Sequence, residues 1–318
     1  MNLENKNVLV TGGAGVIGRE LISRLVSSGA NVLCVDREPK PEDMSGRVRY
    51  RKADISEMDM SPIEEFDPEI IFHLAASFER TIETPDFWET NFRDNILVSH
   101  RIIDTAKDLK NLRKFVFASS YLIYSPDLYL KSAPEGQARQ LKEEDPYNTR
   151  NLTGGAKYYN ENEFNFIHDM YGAFTLLSAR IFRVYGKGSR DIVSRWVRMA
   201  LRGEELVVYN EENIFDYIFA GDVAEGLLRI CESSDKSNVI NLGTGLPKKV
   251  KDVVAAIRKE IPGLKWKYAP DTGDYEASCA ETSKLSGITG WIPPTELKDG
   301  IKMIVEHEKK FKIKAEHA

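Results

Sequence analysis

The sequence predicts an α/β fold, with a doubly wound parallel sheet followed by a smaller mixed C-terminal domain. Three observations predict it. Short apolar segments alternate with longer amphipathic segments, a glycine-rich turn joins the first two, and the alternation loosens after about residue 183. Such alternation is typical of a parallel sheet that carries helices on both faces.

Six short apolar segments are predicted as strands buried on both faces, because each lacks the strict alternation of a half-exposed strand. They cover residues 8–10, 31–35, 48–53, 70–75, 115–118 and 176–181. Two later segments, 216–219 and 239–242, are predicted to return to the same sheet.

Helices are predicted where apolar residues recur at intervals of three and four. The first begins at Val16 and ends before Gly29, a C-terminal cap; the others cover residues 96–109, 155–171 and 192–201. A short strand is predicted at 206–209. We therefore expect a cofactor-binding domain of residues 1–182, to which 213–243 return, and a substrate domain of 183–212 and 244–318.

The composition is that of an ordinary globular protein, with 318 residues, 42% hydrophobic residues and a net charge of −5. This charge gives no support to a nucleic-acid or membrane-surface partner. The three cysteines have no zinc or disulfide spacing, and no apolar run is long enough to span a membrane. The N-terminal residues lead us to expect no signal peptide. We expect a cytoplasmic protein without a metal site.

The most specific signal is the segment 11–18, Thr-Gly-Gly-Ala-Gly-Val-Ile-Gly, which follows a predicted strand and opens a predicted helix. Glycines in this context let the backbone approach a pyrophosphate, which the helix N-terminus then binds. The segment predicts a Rossmann-type dinucleotide site. Its cofactor-binding residues are Gly12, Gly15, Val16, Ile17 and Gly18.

Three charged residues follow the second and third strands. Asp36 stands where an acid binds the ribose hydroxyls of NAD and repels the 2′-phosphate of NADP. Arg37 could soften that preference, and Asp54 could reach the adenine. The alternative for both acids is ordinary turn chemistry. We expect NAD as the cofactor.

From these residues onward, the chain resembles the extended short-chain dehydrogenase/reductase family, in particular its NAD-dependent sugar-nucleotide epimerase/dehydratase group. The matching segments run from the glycine motif to residue 292. They include residues 54–55, 73–76, 117–120, 184–186, 216–218, 222–224, 241–243 and 290–293. The resemblance implies further cofactor contacts at Ile55, Leu74, Ala75, Ala76, Asn91, Ala118 and Lys157.

The resemblance also implies the chemistry. In the family a tyrosine, helped by a lysine four residues later and a serine on a strand end, removes a hydroxyl proton while a hydride passes to NAD. Ser120 and Lys157 match, but Thr153 stands where the tyrosine is expected. A replacement phenol could come from Tyr121, Tyr147, Tyr158 or Tyr159, and Glu79 is a further candidate acid or base.

The substrate side departs from the family as well. Tyr121 and Leu122 occupy the positions of the Asp-Glu pair of glucose-type dehydratases, which argues against 4,6-dehydration. Arg183 replaces an asparagine and Phe215 an arginine, so usual diphosphate ligands are missing. Candidate substrate-binding residues are therefore Ser77, Ser120, Arg183, Arg190, Arg195 and Phe215, with Arg198 as another possible cation.

The sequence thus favours an NAD-dependent epimerase of a nucleotide-activated sugar that works through a transient keto intermediate. Two alternatives stay open, namely an NAD-binding protein with lost or altered catalysis and a dehydrogenase or reductase of a non-nucleotide substrate. On family grounds we expect a homodimer paired through helices at about 93–109 and 155–171. Phe164 and Ile167 are candidate contacts, unless they belong to the core of one subunit.

Overall fold

A computed structural model describes residues 3–78, 84–172, 174–234, 236–270 and 273–316. Its seventeen described strands, β1 to β17 in chain order, are Asn7–Thr11, Asn31–Asp36, Arg49–Lys52, Ile70–His73, Lys114–Ser120, Leu130–Lys131, Arg139–Leu141, Thr175–Ile181, Arg183–Tyr185, Glu205–Val208, Ile214–Phe215, Tyr217–Phe219, Asn238–Leu242, Lys248–Lys249, Lys265–Tyr268, Tyr275–Glu276 and Ser278–Ala280.

Seven of these strands form one parallel sheet in the order β13-β8-β5-β4-β1-β2-β3. The order reverses beside β1, because β2 lies on one side of β1 and β4 on the other. At such a switch point the loops at the carboxyl ends of the strands diverge and leave a crevice. The predicted doubly wound α/β sheet is confirmed.

The α-helices, α1 to α10 in chain order, are Val16–Ser27, Ser61–Phe66, Phe87–Asn91, Val98–Ala106, Leu152–Tyr171, Ile192–Leu201, Ala220–Ser233, Val250–Glu260, Ser283–Thr289 and Leu297–Glu316. A π-helical turn, Phe92–Leu97, connects α3 to α4 without a break. Among the described residues, no helix is long and apolar enough to cross a membrane.

Apolar residues bury both faces of the sheet. Helices α1 and α7 cover one face with residues such as Leu21 and Leu227, and α4 and α5 cover the other with residues such as Ile102 and Phe164. A third apolar cluster, built mainly from α6, α8 and α10, lies in the C-terminal part of the chain. This arrangement buries strands such as β4 completely.

Two strand predictions were wrong. The predicted strand 48–53 is not buried on both faces: β3 covers only Arg49–Lys52 and is largely exposed, because it ends the sheet and pairs with β2 alone. The segment 216–219 does not return to the main sheet either. Its strand β12 pairs in parallel with β9 in a separate two-stranded ribbon. The segment 239–242 does return, as β13.

Helix bounds also differ from the prediction. The predicted helix 96–109 is α4, which ends at Ala106 and continues the π-helical turn. The predicted helix 155–171 begins three residues earlier, because the Asn151 side chain accepts a hydrogen bond from the Gly154 amide, 2.8 Å away, and so caps the helix. The predicted helix 192–201 is confirmed.

Candidate active site

A cavity of about 820 Å³ opens where β1, β2 and β4 end. This is the switch point of the sheet, where open α/β folds bind their ligands. Its walls bring together ten of the predicted cofactor-binding residues, and Ser77 and Arg190 besides. Those ten are Gly12, Gly15, Val16, Asp36, Arg37, Asp54, Ile55, Leu74, Ala75 and Ala76. The loop residue Ala14 also lines the cavity.

 Three of these ten residues come from the glycine loop and the start of α1, and seven come from the ends of β2, β3 and β4 or just beyond them.

The glycine loop presents bare backbone to this cavity. Gly12 has φ +72°, and a Cβ there would lie 2.7 Å from the Ala75 amide nitrogen, while a Cβ at Gly18 would lie 2.5 Å from the Gly12 carbonyl oxygen. Gly15 caps α1 without a side chain, and the first turn, residues 16–19, has no acidic group. The amides at this helix end therefore suit an anion.

The two remaining hydrophobic and glycine positions of the motif have packing roles. Ile17 packs against the core beside α1, and Gly18 lets the helix approach the loop. Ala118 is likewise a core residue on β5. None of these three residues lines the cavity, so the geometry does not support a direct contact between any of them and a cofactor bound there.

Asp36 is fixed at the end of β2 by backbone amides. Its Oδ2 accepts a hydrogen bond from Ala14 N, 2.8 Å away, and its Oδ1 accepts one from Glu38 N, 2.9 Å away. Each carboxylate oxygen can accept a second bond. The carboxylate is therefore held in place at the cavity wall and can still accept hydroxyl groups from a ligand.

Arg37 is held by a buried carboxylate that the sequence analysis did not identify. Its Nη1 lies 2.6 Å from Asp94 Oδ2, and its Nη2 donates to Ser77 Oγ over 3.0 Å. Ser77 Oγ donates in turn to Asp94 Oδ2 over 2.5 Å, and Arg93 Nε lies 2.8 Å from Asp94 Oδ1. Burial alone would raise the pKa of Asp94, but the hydrogen bonds from Arg93, Ser77 and Arg37 outweigh it and lower that pKa.

Asn91, at the end of α3, and Asp94 and Asn95, in the π-helical turn, lie beside the loop after β4. Asn95 Oδ1 accepts from Ser77 N over 2.7 Å, and its Nδ2 donates to Ser77 O over 2.9 Å. Asn91 Oδ1 accepts a second bond from that amide over 2.8 Å. Asn91, predicted as a cofactor contact, thus supports the residue that clamps Ser77, and it does not line the cavity.

Ser120 ends β5, and α5, which carries Thr153 and Lys157, begins against the chain that follows Ser120. Thr153 and Lys157 are buried and lie one turn apart on α5. A Cβ at Gly154 would lie 2.5 Å from the Leu122 carbonyl oxygen, so only glycine lets this turn approach the chain after Ser120 so closely. Ser120 Oγ accepts a hydrogen bond from Leu122 N over 3.2 Å. These three residues do not line the large cavity.

Lys157 lies in an apolar environment. Its Nζ is 4.6 Å from the centre of the Phe117 ring, and its side chain is buried. Burial lowers the pKa of Lys157 to about 8, although the Glu161 carboxylate one turn further along α5 opposes this shift. The ammonium group therefore loses its proton more readily than that of an ordinary lysine, which is typical of catalytic lysines.

Glu161 is bound by two neighbours from adjacent strands. Its carboxylate accepts from Ser119 Oγ over 2.5 Å and pairs with Arg180, whose Nη2 lies 2.7 Å from Oε2. Arg180 also donates to the Tyr124 hydroxyl and the Glu143 carbonyl. With its oxygens thus occupied in a buried ion pair, Glu161 is a poor candidate for proton transfer, but it fixes the helix face that carries Lys157.

A buried histidine connects the cofactor side to α4. His73 Nδ1 lies 2.7 Å from Thr11 Oγ1, and its Nε2 lies 2.9 Å from Ser99 Oγ. Burial, with the Lys157 charge as a second cause, lowers the pKa of His73 to about 3. The imidazole therefore stays neutral and serves as a hydrogen-bonding support.

Tyr121, one of the four candidate replacement phenols, is hydrogen-bonded to another group. Its hydroxyl donates to Glu276 Oε1 over 2.9 Å, and Glu276 Oε2 lies 2.5 Å from Arg150 Nη1. Burial, followed by the nearby Glu276 carboxylate, raises the pKa of Tyr121 well above its usual value. This environment argues against Tyr121 as a base near neutral pH, since the buried phenolate would face a carboxylate.

The other candidate phenols belong to outer positions. Tyr147, Tyr158 and Tyr159 are exposed by 41%, 36% and 49%, and the Tyr147 hydroxyl donates to the Glu143 carbonyl. Glu79, the candidate carboxylate, lies outside the described residues.

On the substrate side, Arg183 and Phe215 form a direct pair. The guanidinium carbon lies 3.7 Å from the centre of the Phe215 ring. The resemblance led us to expect an arginine at position 215. In this protein Phe215 occupies that position, and the guanidinium group of Arg183 lies over its ring. Arg190 lines the cofactor cavity, whereas Arg195 is exposed on α6.

Sequence reasoning missed Asp94, Asn95, Glu161, Arg150 and Glu276 as parts of this site. A partial signal existed for Glu161, because it lies four residues after Lys157 and so shares its helix face. For Glu276 no local signal existed, since its partner Tyr121 is 155 positions away in the chain.

The sequence matches the family described as "NAD dependent epimerase/dehydratase family" over residues 8–243. A curated relative, the UDP-glucose 4-epimerase of Mycolicibacterium smegmatis, is 28% identical over 318 residues, which cover 94% of this chain and 97% of the relative.

Two solved structures are similar over nearly the whole chain. The UDP-glucose 4-epimerase of Thermotoga maritima, solved with UDP-glucose, is 26% identical, has a TM-score of 0.82, and is matched over 96% of this chain and 99% of its own. The UDP-glucose 4-epimerase of Thermus thermophilus, solved with NAD, is 27% identical, has a TM-score of 0.82, and is matched over 95% and 98%.

Proposed function

The chain belongs to the NAD dependent epimerase/dehydratase family, and from that premise we propose that it epimerises a UDP-activated sugar at C4. Its cofactor is NAD, as the resemblance implied. Whole-length similarity to UDP-glucose 4-epimerases supports the reaction and the nucleotide. The observation that carries the proposal is the cavity at the switch point, which joins a glycine loop and a fixed Asp36.

The cavity fits the cofactor on its own chemistry. The backbone amides of the glycine loop would hold the pyrophosphate, because side chains are absent there and the N-terminus of α1 favours an anion. Asp36 would accept the ribose hydroxyls, and Asp54 and Ile55 would border the adenine. NAD, when bound, supplies a hydride acceptor that returns the hydride to the sugar.

We assign the proton transfer that accompanies this exchange to Lys157. Thr153 cannot titrate near neutral pH, and Tyr121 and Glu161 are both engaged by other groups. Lys157 is buried and its pKa is lowered to about 8, so its amine can take the sugar hydroxyl proton and its ammonium can give it back. The Thr153 hydroxyl, one turn away on the same helix face, would hold the substrate hydroxyl or relay its proton.

The diphosphate of the substrate requires cations, and Arg183 is the best placed. Stacking on Phe215 fixes its guanidinium plane and leaves its edge donors for phosphate oxygens. Arg183 would thus supply, from a neighbouring strand, the positive charge that the resemblance implied at position 215. Arg190 would serve the cofactor side, since it lines that cavity.

The proposal extends to quaternary structure and location. Large apolar side chains are exposed on the face formed by α3, the π-helical turn and α5, including Trp88 at 64%, Phe92 at 55%, Phe166 at 66% and Met170 at 60%. A helix-mediated homodimer would bury them. Phe164 and Ile167, predicted as contacts, are instead packed inside the subunit, so the dimer would use their exposed neighbours.

Two further assignments complete the proposal. The three cysteines are free and buried, which fits a reducing cytoplasm. The third apolar cluster fits the core of a substrate domain made from residues 183–212 and 244–318, to which Phe215, Tyr217 and Phe219 of the segment 213–243 also contribute.

The proposal is tested by supplying the purified protein with NAD and, separately, UDP-glucose, UDP-galactose, UDP-glucuronic acid and UDP-N-acetylglucosamine. Proton NMR should show the C4 epimer of at least one sugar, with no net reduction of NAD at 340 nm. The Lys157→Met variant, purified identically, controls for contaminating epimerase. Binding of NAD without any epimer would contradict the proposal and favour a non-nucleotide substrate or a non-catalytic protein.

A further inference from the structure

Arg37 poses a problem for a protein that uses NAD. It follows Asp36 directly and lines the same cavity wall. An arginine presents paired donors that suit a phosphate, so a free arginine beside the ribose end of this site would favour NADP. In the structure, however, Arg37 is bound by other groups of the protein.

Both terminal nitrogens of Arg37 are engaged. Nη1 pairs with Asp94 Oδ2 at 2.6 Å, and Nη2 donates to Ser77 Oγ at 3.0 Å. The Asp94 side chain is only 6% exposed, whereas that of Arg37 is 49% exposed. The carboxylate is thus the buried partner, and the half-exposed arginine lies against it.

Asp94 is itself held rigidly. Ser77 Oγ and Arg93 Nε donate to its two oxygens, and Asn95 clamps the Ser77 backbone through both its amide and its carbonyl group. The π-helical turn makes this possible, because it presents Asp94 and Asn95 together to the loop after β4. π-Turns of this kind are common at functional sites.

We propose that Asp94 determines the preference for NAD over NADP by sequestering Arg37. The inference rests on the proposed cofactor site and deepens it. With Asp94 in place, Arg37 is neutralised and Asp36 faces the ribose unopposed. A 2′-phosphate would bring about two negative charges to a wall that already carries two carboxylates. Released from Asp94, Arg37 could turn to that phosphate.

The test measures dissociation constants for NAD and NADP by calorimetry on the wild-type protein, Asp94→Asn, and the double variant Asp94→Asn/Arg37→Met. We expect Asp94→Asn to improve NADP affinity relative to NAD by about tenfold or more, and the double variant to lose that gain. Arg93→Met is the matched control, because it removes another arginine from Asp94 but not the one beside Asp36. Its NADP-to-NAD ratio should stay near the wild-type value.

An unchanged ratio in Asp94→Asn would overturn the inference. So would a double variant that keeps the gain, since removal of a negative charge would then suffice without Arg37. If Asp94→Asn fails to fold, Ser77→Ala keeps the test open: loss of the hydroxyl that holds both partners should shift the ratio toward NADP, and no shift would count against sequestration. Wild-type protein that binds neither nucleotide would instead contradict the proposed function.

Discussion

Glu161 and Arg180 form a buried ion pair one helical turn beyond Lys157, with Oε2 and Nη2 2.7 Å apart and the two side chains 5% and 2% exposed. Ser119 Oγ donates to the same carboxylate, so α5 is fixed to β5 and β8 at this point. The pair therefore sets both the position of Lys157 and the electrostatic field around it. Three consequences can be measured.

The rate should depend on the protonation of Lys157. If its amine accepts the sugar proton, kcat/KM should rise with pH through about 8, the value to which burial lowers the pKa of Lys157. A fall through the same range would show that the cation is needed instead. Lys157→Met should lower kcat by about a hundredfold or more, and Lys157→Arg should remove the pH step.

Removal of the buried carboxylate should destabilise the protein strongly. Glu161→Gln leaves Arg180 buried without its counter-ion and should lower the free energy of unfolding by about 3 to 5 kcal/mol, measured by urea denaturation. The matched control on the same helix is Glu163→Gln. Its partner His100 is 48% exposed, so its loss should cost below about 1 kcal/mol. Equal losses would show that burial of the pair has no special weight.

The same variant should move the pH profile. The Glu161 carboxylate opposes the lowering of the Lys157 pKa by burial. Its replacement by glutamine removes that opposition, and the pKa of Lys157 should drop further. The midpoint of the kcat/KM profile should therefore shift to lower pH in Glu161→Gln and stay in place in Glu163→Gln. A shift to higher pH would contradict this account of the electrostatics.

Tyr121 should prove structural. Tyr121→Phe removes one hydrogen bond to the buried Glu276, which keeps Arg150 and Ser278 as partners. We expect a loss of about 1 kcal/mol in stability and a change in kcat of less than about threefold. A hundredfold loss of kcat at unchanged stability would make Tyr121 the missing acid–base group.

Arg183 should act on substrate affinity. Arg183→Met keeps the stem that covers Phe215 but removes the guanidinium, and KM for the UDP-sugar should rise by about tenfold or more while NAD binding is retained. Arg195 is exposed on α6, so Arg195→Met is the control and should leave KM near the wild-type value. Parallel increases in both variants would point to a general loss of positive charge.

The sequence by itself determined the parts of this protein that are local. The glycine loop, the strand before it and the helix after it are consecutive, so segment 11–18 carried the information for a dinucleotide site. Asp36 ends the next strand, and parallel strands bring their carboxyl ends together whatever the rest of the chain does. The departure at Thr153 was equally visible, because the position of Lys157 defined it.

Only the tertiary structure decided which polar groups are already engaged. Three pairs of contacting residues are far apart in the chain. The separation is 155 positions for Tyr121 and Glu276 and 57 for Arg37 and Asp94. It is 32 for Arg183 and Phe215. No local pattern records such contacts, since they depend on how strand-end loops and helix ends meet in space. They matter because a buried polar group is bound by whatever lies nearest, and that partner sets whether it can take up a proton or a ligand.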